Sequence, residues 1–162
     1  MFDRVRSSIQ PDSIIDTHVH IGGPAGENEA MYFWSQKFEK SAAFDAMKLV
    51  TKLSSSRSGG SRYVDVVFNQ ILQSEHVDQA VLLALDAVYT ESGRRDTRAT
   101  HLFVANEYVA HLSEIYPQFL FGCSVHPYAP DAVERLYRNA MRGVLFCKWI
   151  PSSQAIDPTH PK

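Results

Sequence analysis

Hydrophobic positions along the chain are gathered into four short runs that predict buried β-strands. The runs cover residues 13–21, 77–85, 119–126 and 143–150. In each of them the apolar residues form a nearly continuous run rather than an alternation with polar residues, which is typical of strands covered on both faces. We therefore expect these strands to form a sheet in the middle of the protein.

The segments between these runs carry the periodicity of amphipathic helices. Residues 39–53 and 100–116 are expected to be helical, and Pro130 followed by Asp131 is typical of a helix start. Strands that alternate with helices predict βαβ units and a parallel α/β sheet. The clearest helical pattern places apolar residues three and four positions apart, at Val64, Val67, Phe68, Ile71 and Leu72.

The connection between the first two predicted strands is long and has two further features. Tyr32, Phe33 and Trp34 form an aromatic cluster, and residues 54–61 are rich in serine and glycine, which predicts a flexible stretch. Loops at the carboxyl ends of parallel strands commonly build active sites. The aromatic cluster is therefore either a lid or pocket wall, or the packing surface of an inserted helix.

The composition is that of an ordinary globular protein, and the length corresponds to about one domain. The 162 residues are 44% hydrophobic and 21% charged, with 16 Lys and Arg against 18 Asp and Glu. This charge balance argues against a nucleic-acid partner, and no apolar run predicts a membrane span. The N-terminus lacks the apolar core of a secretory signal, and two cysteines are too few for a disulfide framework. We expect a cytoplasmic protein.

The strongest chemical feature is the sequence Asp16-Thr-His18-Val-His20 at the end of the first strand. Alternate residues of a strand share one face, so Asp16, His18 and His20 are expected to point the same way. Two neutral imidazoles in this arrangement can bind one divalent metal ion, most commonly Zn²⁺. Asp16 would then be an outer acceptor that fixes a histidine tautomer. The alternative is a pair of hydrogen-bonded core histidines; the position at a strand end before Gly22-Gly23 favours metal binding.

Lys148 ends the fourth predicted strand and is the second chemical feature. Placing a lysine at the functional end of a sheet costs free energy unless the lysine is paired or takes part in the chemistry of the site. It could hold a substrate carboxylate as a cation. Its deprotonated amine could instead take up CO₂ and become a carbamate ligand that bridges two metal ions. The third alternative is a lysine whose head group reaches the solvent at the rim.

Two other residues are candidates for substrate binding. His126 ends the third strand, where it could position a substrate or transfer a proton, or could equally hydrogen-bond a loop as a structural residue. Arg94 lies in the loop after the second strand and could attract an anionic substrate, although a solvated loop is an alternative interpretation. Motifs of dinucleotide-binding enzymes, P-loop NTPases, typical serine hydrolases and thioredoxin-like proteins are absent from the sequence.

Three segments together resemble the amidohydrolase superfamily, and more narrowly its amidohydrolase-related (type 2) branch. They are Ile-Asp-Thr-His-Val-His at residues 15–20, Gly-Cys-Ser-Val-His-Pro at 122–127 and Cys-Lys-Trp at 147–149. The resemblance implies a TIM-type (β/α)₈ barrel with a divalent metal ion at the carboxyl ends of its strands. It also implies that His18 and His20 are the first two metal ligands and that Lys148 occupies the position of a metal-bridging lysine.

The resemblance implies metal-dependent hydrolysis, in which an activated water attacks an amide, ester or similar bond of a small molecule. It covers about the first four β/α units, so residues 1–162 are expected to form one domain, the N-terminal half of such a barrel. The family's remaining ligands and its general-base aspartate come from later strands, for which this chain offers no candidates. An exposed sheet edge beside Lys148 would need a cover, so assembly with another half-barrel or a homo-oligomer is one expectation.

Three alternatives stay open at this stage. The same scaffold supports nonoxidative decarboxylation in some members of the family. A half-barrel could also be catalytically silent. TatD-type deoxyribonucleases share the D-x-H-x-H strand and a His-Pro after the third strand, but their fourth strand ends with glutamate, and Lys148 here favours the amidohydrolase interpretation.

Overall fold

The computed structural model describes residues 9, 12–24, 28–51 and 59–161. Within this part of the chain, strands and helices alternate along most of the sequence. None of the described helices is long and apolar enough to cross a membrane. The elements, in chain order, are β1 (Ile15–His20), β2 (Tyr32–Trp34), α1 (Gln36–Glu39), α2 (Ala42–Thr51), α3 (Gly59–Leu72), β3 (Gln79–Leu83), β4 (Leu102–Val104), α4 (Asn106–Ile115), β5 (Phe119–Cys123), α5 (Ala132–Met141), β6 (Phe146–Cys147) and α6 (Pro151–Gln154).

The centre of the protein is a curled, four-stranded parallel sheet with the order β1-β3-β5-β6. Every residue of β3 and β5 is buried, as expected for the continuous apolar runs in their sequences. The prediction of an α/β protein with a parallel sheet is therefore confirmed, and the carboxyl ends of all four strands lie at the same edge. The expected burial on both faces is wrong for β1 and β6, which lie at the two edges of the sheet and are partly exposed.

The two faces of the sheet bury different sets of side chains. Ala80 and Leu82 of β3 face the helices and belong to the larger core cluster, which includes Val109 of α4. Val81 and Leu83 of the same strand face the other way and pack with Leu120 in a smaller cluster. This second face is the concave, interior side of the curled sheet. Gln79, which begins β3, is also fully buried and binds the carbonyl of Pro117.

The aromatic cluster at residues 32–34 is a strand that sequence periodicity did not predict. β2 pairs with β4 in a separate antiparallel sheet, with Phe33 opposite Phe103. The helix predicted over residues 100–116 is therefore wrong at its start, since helix α4 begins at Asn106. Trp34 is buried against Phe44 and Tyr63, so this cluster packs the inserted helices into the core.

Other element boundaries also differ from the predictions. The helix predicted over residues 39–53 corresponds to α2, which begins at Ala42 because the hydroxyl of Ser41 accepts a hydrogen bond from the Phe44 N–H. Only Glu39 of the predicted range belongs to α1, and residues 52 and 53 lie outside the described residues. Part of the predicted flexible stretch, residues 54–58, lies outside the described residues, whereas 59–61 belong to α3. The fourth strand, predicted over residues 143–150, has only two residues in the structure, and among the described strands β6 pairs with β5 alone.

Gly122 of β5 is a position where the neighbouring strand β3 leaves no room for a side chain. A Cβ atom there would lie 2.8 Å from Leu83 Cδ2 and 3.0 Å from Val81 Cγ1. The Gly122→Ala substitution should therefore force the interior face apart and lower the free energy of unfolding by about 1–3 kcal/mol. Gly22→Ala is the matched control, because its Cβ would meet nothing closer than 3.6 Å. Urea denaturation of both variants checks this; equal stability of the two would contradict it.

Candidate metal centre

Strand β1 contains a bulge in the middle of the histidine motif. Asp16 pairs with Ala80 and Val19 pairs with Leu82, so that two residues of β1 lie opposite one residue of β3. The extra residue shifts the alternation of faces between Asp16 and His20. The register therefore puts Asp16 on the helix-facing side, in line with Ala80, and His20 on the interior side, in line with Leu83.

The expectation that Asp16, His18 and His20 share one face is wrong for Asp16, and the bulge is the reason. The Asp16 carboxylate accepts a hydrogen bond of 2.9 Å from the backbone N–H of His18. A bulge removes backbone groups from the regular ladder, and this contact gives one of them a partner. Asp16 thus supports the main chain that carries the histidines, and makes no hydrogen bond to a histidine ring.

His18, His20 and Lys148 converge above the interior face at the carboxyl ends of the strands. The Nε2 atoms of the two imidazoles are 3.0 Å apart, and their rings meet edge to face. Lys148 Nζ lies 3.3 Å from His20 Nε2 and also contacts His18 Nε2. The structure therefore brings together all three residues that the sequence suggests as metal ligands.

The local electrostatics favour neutral side chains at this point. Burial, together with the smaller effects of the neighbouring charges of Lys148 and His18, lowers the pKa of His20 from 6.5 to about 4. Burial also lowers the pKa of Lys148. A neutral imidazole is the form that binds a metal ion, so His20 is held in its ligand form across the physiological pH range.

The spacing of the two imidazoles fits a shared divalent cation. Two nitrogen atoms bound to one tetrahedral Zn²⁺ at about 2.0–2.1 Å lie about 3.3 Å from each other. The observed 3.0 Å between the Nε2 atoms is close to this value. Among the described residues, no group of three or more His, Cys, Asp or Glu side chains is arranged to hold a metal ion. The donor set here is therefore two imidazoles and one amine.

His126 is fully buried and occupies a structural position. The Tyr128 N–H donates to its Nδ1 at 3.1 Å, so that Nε2 carries the proton and donates to the carbonyl of Gln154 at 2.8 Å. Burial lowers the pKa of this imidazole. Both ring nitrogens are hydrogen-bonded to main-chain groups, so His126 joins the loop after β5 to helix α6. This geometry favours the structural role that the sequence left open for His126. We therefore assign it no contact with substrate.

A buried carboxylate that sequence reasoning missed lies beside His126. Asp86 follows β3 and forms a 2.9 Å ion pair with Arg135 of α5. It also accepts hydrogen bonds from the backbone N–H groups of Ala87 and His126. The sequence signal that could have identified Asp86 is the position of a carboxylate directly after the apolar residues 81–85. This ion pair fastens helix α5 to the carboxyl ends of β3 and β5.

The segment that carries Lys148 is anchored by hydrogen bonds of the side chains of Trp149 and Gln154. Trp149 is half-exposed, and its indole N–H donates to the Val125 carbonyl at 2.7 Å. Gln154 is buried, accepts from the Ile150 N–H, and donates to the Ser124 hydroxyl. Lys148 is thereby held in place although β6 itself is only two residues long.

Arg94 lies in a turn of the loop that follows β3. Its hydrogen bonds in the described structure are within this turn, and none reaches another candidate residue. Its backbone closes the turn with Thr90, and the loop packs through Gly93 near Tyr128 and Pro130. The side chain of Arg94 is exposed. Its proposed attraction of an anionic substrate stays a prediction.

Comparison of the chain with protein-family models, with curated proteins and with solved structures found no match. The interpretation of the site therefore depends on its own geometry.

The lowered pKa of His20 predicts a specific acid dependence of the metal-free protein. The unfolded chain takes up a proton here below about pH 6.5, whereas the folded chain does so only near pH 4. Acidification across this window should therefore lower the free energy of unfolding. NMR titration of the His20 ring measures the folded value directly. Lys148→Met should raise this pKa while leaving it below 6.5, because burial remains; Lys37→Met is the control. A ring that titrates near 6.5 in all three proteins would contradict the prediction.

Removal of the buried Asp86 carboxylate should lower the free energy of unfolding far more than removal of an exposed carboxylate. Asp86→Ala leaves the Arg135 guanidinium without its partner in a largely buried position, and we expect a loss of about 3–5 kcal/mol in the free energy of unfolding. Glu114→Ala breaks an exposed ion pair of the same length with Arg142, and should cost less than about 1 kcal/mol. Denaturant titration of both variants measures the difference, and similar losses would argue against a structural role for Asp86.

Proposed function

We propose that His18, His20 and Lys148 hold a divalent metal ion, with Zn²⁺ as the best fit, and that this centre serves hydrolysis of the amidohydrolase type. The observation that carries the proposal is the convergence of three nitrogen atoms from β1 and from the end of β6. These strands are the first and the last of the sheet order, so the convergence depends on the curl of the sheet as well as on the sequence.

The curl also supports the proposal of a barrel. In a flat sheet, β1 and β6 would lie about 14 Å apart, and side chains would leave the sheet perpendicular to its plane. Contact between Lys148 and both histidines requires the outer strands to tilt toward each other over the interior face. We propose that the four strands correspond to the first four of a (β/α)₈ barrel, whose functional groups lie at the carboxyl ends of its strands.

The position of Lys148 favours hydrolysis over decarboxylation. A lysine that holds a substrate carboxylate would present its ammonium group to the open pocket. Here Nζ instead contacts the two imidazole nitrogens, and burial lowers its pKa. Both features suit a third donor, as the free amine or as its carbamate, beside His18 and His20.

The chain's own residues prepare the centre in three ways. The bulge, supported by Asp16, brings the ring of His18 to the interior side; burial keeps His20 neutral; and the anchored segment after β6 fixes Lys148. A bound Zn²⁺ would supply Lewis acidity and lower the pKa of a water molecule toward neutrality. Among the described residues no carboxylate contacts the three nitrogens, so the proposal assigns no general base. The substrate class is a small molecule with an amide, ester or similar bond.

Metal binding by the whole chain tests the proposal. Equilibrium dialysis against Zn²⁺ should give one site per chain, and His18→Ala or His20→Ala should weaken it by more than about tenfold through the loss of an imidazole ligand. His111→Ala is the matched control, because His111 is exposed on α4, away from the motif. Binding that is absent, or that is unchanged in the two motif variants, would overturn the proposed centre.

A second measurement separates hydrolysis from decarboxylation. The zinc-loaded chain is incubated with p-nitrophenyl acetate as a simple ester and, separately, with aromatic carboxylic acids while released CO₂ is measured. We expect zinc-dependent ester cleavage that His20→Ala abolishes. Release of CO₂ without ester cleavage would favour the lyase on the same site.

A further inference from the structure

We propose that Cys123 and Cys147 form a peroxide-sensitive thiol pair that closes to an intramolecular disulfide between β5 and β6. The pair lies on neighbouring parallel strands and one of its members is open to solvent. This assignment is independent of the proposed function, because it involves neither the histidines nor a metal ion.

The register of the sheet places the two cysteines directly opposite each other. Cys123 is the partner of Cys147 in the parallel pairing of β5 with β6. Neighbouring strands are about 4.8 Å apart, which lies within the range of about 4.4–6.8 Å between the Cα atoms of disulfide-bonded cysteines. Partners in register also project their side chains from the same face, so the two thiols lie side by side.

Main-chain hydrogen bonds hold the two strands together on both sides of the pair. The Leu145 N–H donates to the Phe121 carbonyl, and the Lys148 N–H donates to the Cys123 carbonyl, each at 2.8 Å. Both cysteines are free thiols in the structure. Closure of the disulfide therefore requires movement of the side chains rather than a rearrangement of the strands.

The two thiols differ in their access to solvent, which gives each one a separate role. Cys147 is exposed, whereas Cys123 is fully buried within the larger core cluster. Dissolved peroxide can therefore reach Cys147, while Cys123 is protected but lies beside it. This is the arrangement of an accessible cysteine next to a resolving cysteine.

The chemistry balances with hydrogen peroxide as the oxidant. The Cys147 sulfur attacks one peroxide oxygen, the O–O bond breaks, and sulfenic acid and one water are formed. The Cys123 sulfur then attacks the Cys147 sulfur; the S–O bond breaks, and the hydroxyl leaves with the Cys123 proton as a second water. The two thiols together lose two electrons, and the peroxide gains them.

The disulfide would fasten the edge strand covalently to its neighbour. Within the described ranges, β6 has two residues and pairs on one side, and Lys148 directly follows Cys147. Phe146 packs in the interior cluster, so the alternation of the strand puts Cys147 on the opposite, helix-facing side. The cross-link would thus lie behind the sheet, on the side away from the interior face.

Peptide mapping of the whole chain after treatment with hydrogen peroxide tests the proposal. Trypsin releases Cys123 in the peptide 99–135 and Cys147 in the peptide 143–148, because Arg98, Arg135, Arg142 and Lys148 flank them. We expect the two peptides to be joined, with the loss of two hydrogen atoms, in monomeric protein, and to separate after reduction with dithiothreitol.

Two variants distinguish the roles of the thiols. Cys147→Ser should leave Cys123 reduced under the same peroxide treatment, because only the buried thiol remains. Cys123→Ala should leave Cys147 without a resolving partner, so that it proceeds to the sulfinic acid. The unmodified protein needs no substitution and therefore tests the proposal even if a variant fails to fold. Formation of sulfinic acid at Cys147 in the unmodified protein at the rate seen in Cys123→Ala, a disulfide only between two copies of the chain, or two unreacted thiols would each overturn it.

Discussion

The buried ion pair between Asp86 and Arg135 is the interaction on which the carboxyl-end edge of the sheet depends. One carboxylate binds the guanidinium of α5 and the main chain of the loop after β5. The carbonyl of Asp86 also accepts from Gln154, which in turn holds the segment after β6. A two-residue strand could not fix Lys148 alone. The polar network behind it therefore determines where the lysine meets His18 and His20.

Much of the parallel sheet could be predicted from sequence because its two central strands are buried on both faces. β5 is apolar throughout and β3 is apolar after Gln79, and the burial of both strands in the structure is complete. The antiparallel pair β2 and β4 could not be found in this way. Each has three residues, too few to establish a period, and the segment before α4 carries apolar spacing that is also compatible with a helix. The pairing of Phe33 with Phe103 is a tertiary contact that local periodicity does not contain.

The candidate site shows the same limit at the level of single residues. His18, His20 and Lys148 could be selected because their types and their positions at strand ends are visible in the sequence. The bulge in β1 could not be predicted, since it depends on pairing with β3, and it is the reason why Asp16 leaves the face of the histidines. Similarly, the hydrogen bond that the ring of His126 makes to the main chain requires Gln154, which is distant in sequence.

The fluorescence of the half-exposed Trp149 can be used to observe the candidate site. The protein has two tryptophans; Trp34 is 4% exposed and Trp149 is 49% exposed. Their indole rings therefore experience different polarities, and the emission of Trp149 lies at longer wavelength. Because the Trp149 side chain is tied to Val125 and follows Lys148 directly, its fluorescence reports the local conformation of this segment, and the core tryptophan serves as an internal reference.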